Sequence, residues 1–213
     1  MNTRPRKPAY LLLVLVAALA ACTRATLPPP APTTTQTTAR TEESRAAEAQ
    51  KLDQVLLRFQ KGTSLIENGR LKEARAAFEN LRTSYPHVSV FHNNLGVVYK
   101  RLGLLPEAVA AYQQAIKIQP EYPEAYYNLG LALREQGEFR QAEDAYRRAL
   151  STAPDFRDAD YNLAVLYDLY LNEPDKAIEH YQTYLASGGE GQEEVAIWIA
   201  ALQKRVDRAK ETP

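Results

Sequence analysis

Histidine, serine and cysteine, the side chains that most often carry out catalysis or bind metals, are few or widely separated in this sequence. The three histidines, His87, His92 and His180, form no HExxH pair, and none has a second ligand at metal-binding spacing. The chain also has no GxGxxG or GxxxxGK[ST] phosphate-binding loop and no GxSxG motif around a serine. We therefore expect no enzymatic activity, no metal site and no cofactor.

Cys22 is the only cysteine in the chain, so no disulfide can form within it, and its position predicts acylation instead. It follows a basic start and an apolar run, Leu11 to Ala21, that is shorter than the roughly 20 residues of a membrane span. The sequence Leu19-Ala20-Ala21-Cys22 resembles the bacterial lipobox, in which the cysteine becomes the acylated mature N-terminus. The resemblance implies a lipid anchor, such as palmitate, on Cys22. The alternative is an ordinary signal peptide that ends near an unmodified cysteine.

The residues after Cys22 indicate where an anchored protein would reside. In Gram-negative lipoproteins of this class an aspartate directly after the cysteine retains the protein at the inner membrane, whereas Thr23 stands here. The resemblance therefore implies the outer membrane, with the protein facing the periplasm. Residues 22–42 are rich in threonine and proline, and we expect a disordered tether.

The charge balance excludes one class of partner. The chain has 26 basic and 26 acidic residues, and three of the basic ones, Arg4, Arg6 and Lys7, lie in the signal segment. The remainder is slightly acidic and lacks the basic stripe that neutralises phosphates, so we expect no nucleic-acid binding.

From residue 55 onward the chain repeats with a period of 34 residues. The recurring residues are small residues, prolines and one aromatic position: Gly62, Gly96 and Gly130; Gly69, Gly103 and Gly137; Ala74, Ala108 and Ala142; Phe78, Tyr112 and Tyr146; Pro86, Pro120 and Pro154. The first glycines predict close approach between two helices, and the second predict left-handed turns that end the first helix. The prolines mark the end of each second helix.

These units resemble tetratricopeptide repeats, because Leu95-Gly96-Val97-Val98-Tyr99 and Leu129-Gly130-Leu131-Ala132-Leu133 match the first-helix signature of that family. The resemblance covers roughly residues 53 to 187 and implies an all-α fold, a right-handed superhelical solenoid of helix-turn-helix units. We place the repeats at about 55–88, 89–122, 123–156 and 157–190.

The fourth unit departs from the pattern. Ala164 replaces the glycine, and Ala177 arrives one residue late, so we expect an insertion in the turn Leu171-Asn172-Glu173-Pro174. Tyr184 also stands where a small residue is usual.

The domain organisation follows from these segments. We expect a signal peptide at 1–21, the lipidated cysteine and tether at 22–42, the solenoid at 43–190, and a capping helix and tail at 191–213. Trp198 in the capping helix is interpreted as a core residue, with a partner-binding anchor as the alternative.

In the family the first helices of successive units line a concave binding groove, and the 34-residue register assigns positions to it. The predicted groove residues are Asn93, Asn94, Val97, Lys100, Tyr127, Asn128, Leu131, Arg134, Tyr161, Asn162, Val165 and Asp168. Tyrosine and asparagine side chains suit an extended segment or a helix of another protein. An alternative role for the asparagines is to stabilise the fold.

We therefore expect a protein-interaction module anchored to the outer membrane, which acts as a scaffold or assembly factor for an envelope complex. Its layout is similar to that of lipoproteins that assist pilus or secretin assembly. Two alternatives are an adaptor of an energy-transducing or peptidoglycan-remodelling complex, and a structural scaffold that associates with itself.

Overall fold

The computed structural model describes residues 34–211. The predicted signal peptide, Cys22 and the first part of the tether lie outside the described residues.

All of the secondary structure between residues 34 and 211 is helical, which confirms the all-α prediction. The elements are α1 (Thr34–Glu67), α2 (Leu71–Ser84), α3 (Ser89–Arg101), α4 (Leu105–Ile118), α5 (Pro123–Glu135), α6 (Phe139–Thr152), α7 (Arg157–Leu166), a π-helical segment (Tyr167–Leu171), α8 (Pro174–Ala186) and α9 (Gln192–Glu211). Successive helices pair as the predicted hairpins, α3 with α4, α5 with α6, and α7 with α8. None of the described helices combines the length and the apolar character that a membrane crossing requires.

Helix α1 begins at Thr34, inside the segment that we predicted to be a tether up to residue 42. Pro32 is the last proline before this helix, and no helix breaker follows until Gly62. The alanine, glutamate and arginine residues between them are good helix formers, so helical structure extends back toward the proline.

The described chain forms two compact units, one up to Phe91 and one from His92 onward. In the first unit the Phe59 ring lies 5.9 Å from the rings of both Phe78 and Phe91. A methyl group added at Gly62 would lie 2.9 Å from the Phe78 ring, so this glycine lets α1 and α2 approach closely.

In the second unit, the glycines of the first series lie even closer to an aromatic ring of the paired helix. A methyl group at Gly96 would lie 2.6 Å from Cε1 of Tyr112, and one at Gly130 would lie 2.5 Å from Cε1 of Tyr146. Both tyrosine rings are fully buried. The predicted reason for the first series of glycines, close approach of the two helices of a unit, is therefore confirmed.

The second series of glycines ends the first helix of each hairpin. Gly69, Gly103 and Gly137 have φ values of +71°, +75° and +83°, the left-handed region that glycine adopts without strain. The residue after each glycine bonds the carbonyl five positions back, as in the 2.9 Å bond from the Glu138 amide to the Leu133 carbonyl.

The fourth hairpin keeps this turn but forms it one residue later. Asn172, with φ of +54°, takes the place of the glycine, and the Glu173 amide bonds the Tyr167 carbonyl six positions back. The additional residue lies in the π-helical segment Tyr167–Leu171, whose wider hydrogen-bonding ring accommodates it. Our prediction placed the insertion in the turn itself, and the structure places it in the end of the preceding helix.

A buried carboxylate connects the third and fourth hairpins. Glu143 accepts hydrogen bonds from the Tyr167 hydroxyl at 2.7 Å and from Arg140 Nη1 at 2.8 Å. Arg140 and Lys176 both also pair with Glu173. Burial alone would raise the pKa of Glu143, but the bonds from Tyr167 and Arg140 hold it below its ordinary value.

His180 belongs to the same region. Its Nδ1 lies 2.9 Å from the carboxylate of the buried Asp160, and its ring stacks on Tyr167 with centroids 5.6 Å apart. This histidine therefore helps to join α7 and α8.

Candidate functional site

The predicted groove residues lie on α3, α5, α7 and the π-helical segment, the first helices of three successive hairpins. All of them belong to the unit that begins at His92. Most are half-buried, so they contact the core with one side and remain accessible on the other. We call this set of predicted residues the interaction face.

Asparagines connect α3 to α5 on the interaction face. The Asn128 side-chain amide donates to the Asn93 side-chain oxygen at 3.0 Å. Asn93 is buried and also forms a side-chain hydrogen bond with Tyr122. The fold-stabilising role that we considered for asparagine is therefore present at this position.

A second set of polar contacts connects α5 to α7. Asn162 accepts a hydrogen bond from Arg134 Nη1 at 3.2 Å and lies 3.1 Å, through its own amide nitrogen, from the Tyr127 hydroxyl. The same amide donates to the Asp158 carbonyl at 2.8 Å. Asn162 thus fixes the positions of one aromatic and one cationic side chain of the neighbouring helix.

Tyr127 packs against core rings in addition to its contact with Asn162. Its ring packs 5.1 Å from Phe156 and 6.0 Å from Tyr146. Burial, together with the negative charge of Asp158, raises the pKa of Tyr127 to about 12, so its hydroxyl stays protonated.

The two remaining charged residues pair with groups that the sequence did not assign to the face. Lys100 Nζ lies 3.4 Å from the Glu135 carboxylate on α5. Asp168 lies 3.5 Å from Arg205 on α9, and burial raises the pKa of Asp168 while Arg205 opposes that rise. The structure therefore joins Asp168 to the capping helix.

Tyr161 lies in an aromatic cluster at the C-terminal end of the face. Its ring centroid is 5.1 Å from Tyr184 and 6.5 Å from Trp198. Trp198 also contacts Tyr181 at 5.8 Å and remains 39% exposed. Trp198 is thus neither a fully buried core residue nor an isolated surface anchor.

Three apolar residues of the face, Val97, Leu131 and Val165, pack against the core while remaining partly exposed. Asn94 is also half-buried. The face thus combines apolar area with amide, hydroxyl and charged groups, a chemistry that suits recognition of a polypeptide.

Sequence reasoning missed Glu135, Tyr184 and Arg205 as neighbours of the face. Tyr184 carried a signal, since it replaces a usual small residue. Glu135 and Arg205 carried none, because their roles depend on the distance between neighbouring helices. Among the described residues, no group of three His, Cys, Asp or Glu side chains could hold a metal ion.

Sequence models of the tetratricopeptide repeat family match most of the predicted units. Two models described as a TPR repeat and a tetratricopeptide repeat match residues 102–137 and 123–156, and a third matches 57–87 and 158–187. No curated protein sequence matches this chain significantly.

Solved structures resemble the chain over most of its length. A crystal structure of the MamA protein is 27% identical, with a TM-score of 0.56, and covers 75% of this chain and 96% of its own. A tetratricopeptide repeat protein from Parabacteroides merdae has a TM-score of 0.61 at 19% identity over 74% of this chain and 63% of its own.

The first TPR of Spaghetti (RPAP3), bound to the HSP90 peptide SRMEEVD, also resembles this chain. It has a TM-score of 0.52 at 23% identity and covers 54% of this chain and 90% of its own. At this identity the likeness concerns the fold. The family matches and the helical hairpins together identify this chain as a tetratricopeptide repeat protein.

Proposed function

We propose that this protein is an interaction module that binds a segment of another envelope protein on the interaction face and is anchored to the outer membrane through Cys22. In this role it acts as a scaffold or assembly factor without catalysis. The observation that carries the proposal is the set of contacts linking α3, α5 and α7, from Asn128 to Asn93 and from Asn162 to Arg134 and Tyr127.

These contacts favour binding because they hold polar side chains in fixed positions before a partner arrives. A preorganised surface loses less side-chain entropy on association than a mobile one, so more of the contact energy contributes to affinity. The half-exposed Val97, Leu131 and Val165 supply apolar area beside these polar groups.

The residues of the face argue against one mode of peptide binding in the family. Members that hold a terminal carboxylate use a clamp that includes an asparagine directly after the first-helix glycine. In this chain Thr63, Val97, Leu131 and Val165 occupy that position. We therefore propose an internal extended segment or a helix as the ligand.

The interaction proposal is tested by replacing three residues of the face. The variant Tyr127→Ala, Asn128→Ala, Tyr161→Ala should lose its partner in crosslinked pull-downs from envelope preparations. Gln114→Ala with Arg148→Ala, two exposed positions on second helices, is the matched control and should keep it.

Tyr127 also packs on core rings, so a second variant separates binding from folding. Lys100→Glu reverses a charge on the face without removing core contacts, although it replaces the surface ion pair with Glu135 by a like-charge contact. It should weaken capture while lowering the free energy of unfolding, followed by circular dichroism, by no more than about 1 kcal/mol. Retention of the same partner set by both variants would reject the interaction face.

The anchoring proposal rests on the lipobox-like sequence before Cys22. Cys22→Ser should abolish incorporation of radiolabelled palmitate and leave an uncleaved precursor. Thr23→Asp is the informative control, because it should keep the label while moving the protein to the inner-membrane fraction. Normal labelling of the serine variant would show that Cys22 is not acylated.

The pathway is proposed from layout alone. We favour a pilus or secretin assembly system, with an energy-transducing or peptidoglycan-remodelling complex as the alternative. Crosslinking mass spectrometry in the native envelope identifies the partner and distinguishes between them.

A further inference from the structure

The outer face of the capping helix α9 carries apolar side chains. Val195, Leu202 and Val206 point into the core, whereas Ile197 is 66% exposed on the opposite side. The terminal units of repeat proteins ordinarily present a polar outer face, because nothing stacks on them. Ile197 therefore adds apolar area, next to Ala200 and Ala201, that a partner can cover.

The two halves of α9 carry opposite net charges. Glu193 and Glu194 lie in the first turn, whereas the second half has four basic residues, Lys204, Arg205, Arg208 and Lys210, and two acidic ones, Asp207 and Glu211. This arrangement complements the helix dipole. It also makes the helix complementary to an antiparallel copy of itself, and the dipole does not account for the apolar Ile197 between the charges.

Six exposed residues of α9 are arranged symmetrically about its middle. With 3.6 residues per turn, the side opposite Val195, Leu202 and Val206 presents residues 193, 197, 200, 201, 204, 207, 208 and 211, all of them exposed. Six of these positions are related in pairs, 193 with 208, 197 with 204, and 200 with 201, about a point between 200 and 201, whereas Asp207 and Glu211 have no counterpart among them.

We propose that α9 pairs with α9 of a second copy of this chain, antiparallel, about a two-fold axis between Ala200 and Ala201. In this arrangement Glu193 lies opposite Arg208 of the second copy, and Ile197 packs against the alkyl part of Lys204. Each contact occurs twice because a two-fold interface uses the same patch on both subunits.

Several features of the helix agree with this pairing. Alanines at the centre let two helices approach closely, as small residues do at helix interfaces. Asp207, whose charge opposes the pairing, lies at the edge of this side and accepts a hydrogen bond from Gln203 at 3.0 Å. A parallel arrangement would instead place Glu193 against Glu193 of the second copy.

The interface consists of one short helix pair, so we expect a weak and salt-sensitive dimer. Its area falls in the range of transient complexes, below roughly 1,200 Å² in total. Attraction between exposed charges is screened as ionic strength rises. Molecules concentrated on a membrane surface would associate more readily than molecules in dilute solution.

The first experiment measures the mass of the full chain by sedimentation equilibrium in a density-matched detergent. Over about a hundredfold range of concentration the native chain should shift from monomer to dimer, and high salt should weaken the association about tenfold. Ile197→Lys should abolish it, whereas Ala196→Lys, exposed on the flank of the same helix, should not. A native chain that remains monomeric, or an Ile197→Lys variant that still dimerises, overturns the proposal.

The second experiment tests the antiparallel register by exchanging charges. Glu193→Lys alone and Arg208→Glu alone each create two like-charge contacts, so each should dimerise at least about tenfold more weakly than the native chain. Mixed together, the two variants restore opposite charges at both contacts and should form a heterodimer. With different affinity tags, they should co-purify as a mixture, and failure to do so rejects this register.

The dimer and the interaction face are separated by their variants. Lys100→Glu should leave the dimer unchanged, and Ile197→Lys should leave partner capture at the interaction face intact. If Lys100→Glu abolishes self-association while Ile197→Lys does not, the second copy binds the interaction face and the α9 interface is wrong.

Discussion

The third and fourth hairpins have the same helix-turn-helix plan but differ in the small residue of the first helix and in the position of the turn. In the third, Gly130 has no side chain, so the Tyr146 ring fits against α5, and Gly137 forms the turn at the position that the 34-residue period predicts. In the fourth, Ala164 keeps its methyl group, and the turn at Asn172 comes one residue later. The difference shows that the turn geometry is retained while the end of the first helix adjusts its length.

Deleting one residue from the third or the fourth hairpin should give the largest difference in the free energy of unfolding. Leu169 is 67% exposed within the π-helical segment, and its removal should leave a regular α-helix and change the free energy of unfolding by no more than about 1 kcal/mol. Glu135 is its counterpart 34 residues earlier, in a regular helix. Its deletion rotates one part of the helix by about 100° relative to the other and should cost more than about 4 kcal/mol.

Urea unfolding followed by circular dichroism compares the two deletions directly. Equal losses would mean that the π-helical segment does not store the additional residue, and the comparison between the hairpins would fail.

Filling the space beside Tyr146 should have the next largest effect. Gly130→Leu places a side chain where even a methyl group would lie 2.5 Å from a buried ring, and it should lower stability by up to about 3 kcal/mol. Ala164→Gly, the reverse change in the fourth hairpin, should cost only about 1 kcal/mol through helix propensity. Thermal melts of the two variants measure the difference, and an unchanged melt for Gly130→Leu would contradict the packing argument.

Removing a tyrosine hydroxyl should have smaller and opposite effects in the two hairpins. The Tyr146 hydroxyl is buried and has no hydrogen-bond partner among the described residues, so Tyr146→Phe should leave stability unchanged or raise it by about 1 kcal/mol. The Tyr167 hydroxyl donates to the Glu143 carboxylate, so Tyr167→Phe should cost about 2 kcal/mol.

The loss in Tyr167→Phe should depend on pH. The folded-state pKa of Glu143 lies below its ordinary value of 4.5, so its stabilisation is present above that value and is lost as the pH falls through the folded-state pKa. The difference in urea midpoint between the native chain and Tyr167→Phe should therefore shrink in acid. A constant difference across this range would exclude the ionised carboxylate as its source.

The sequence predicted the helical hairpins well because their landmarks act locally. A turn that requires positive φ, such as the one at Gly137, favours glycine whatever the distant residues are, so it can be recognised in the sequence. The tight contact between Gly130 and Tyr146 was also predictable, since both positions recur with the same period.

The 34-residue register predicted which residues lie on the interaction face, but it did not predict which of their side chains contact one another. The spacing placed Tyr127 and Asn162 on neighbouring first helices, yet it did not show that their side chains meet. Asp168 lies in the π-helical segment and pairs with Arg205 of α9, a contact that the 34-residue register does not predict. The helical start at Thr34 was missed because threonine-rich sequence favours a tether when it is read without the helix that follows it.

The carboxylate of Glu143 has a consequence for how this protein can evolve. It is shared by Tyr167 and Arg140, and Arg140 in turn shares Glu173 with Lys176, so these five positions, on α6, the π-helical segment and the start of α8, depend on one another. Loss of Arg140 or Lys176 leaves an excess of negative charge beside the buried Glu143 carboxylate, whereas a compensating change elsewhere in the set restores neutrality. Among related chains, substitutions at these five positions should therefore occur together. Such covariation would show that the third and fourth hairpins evolve together.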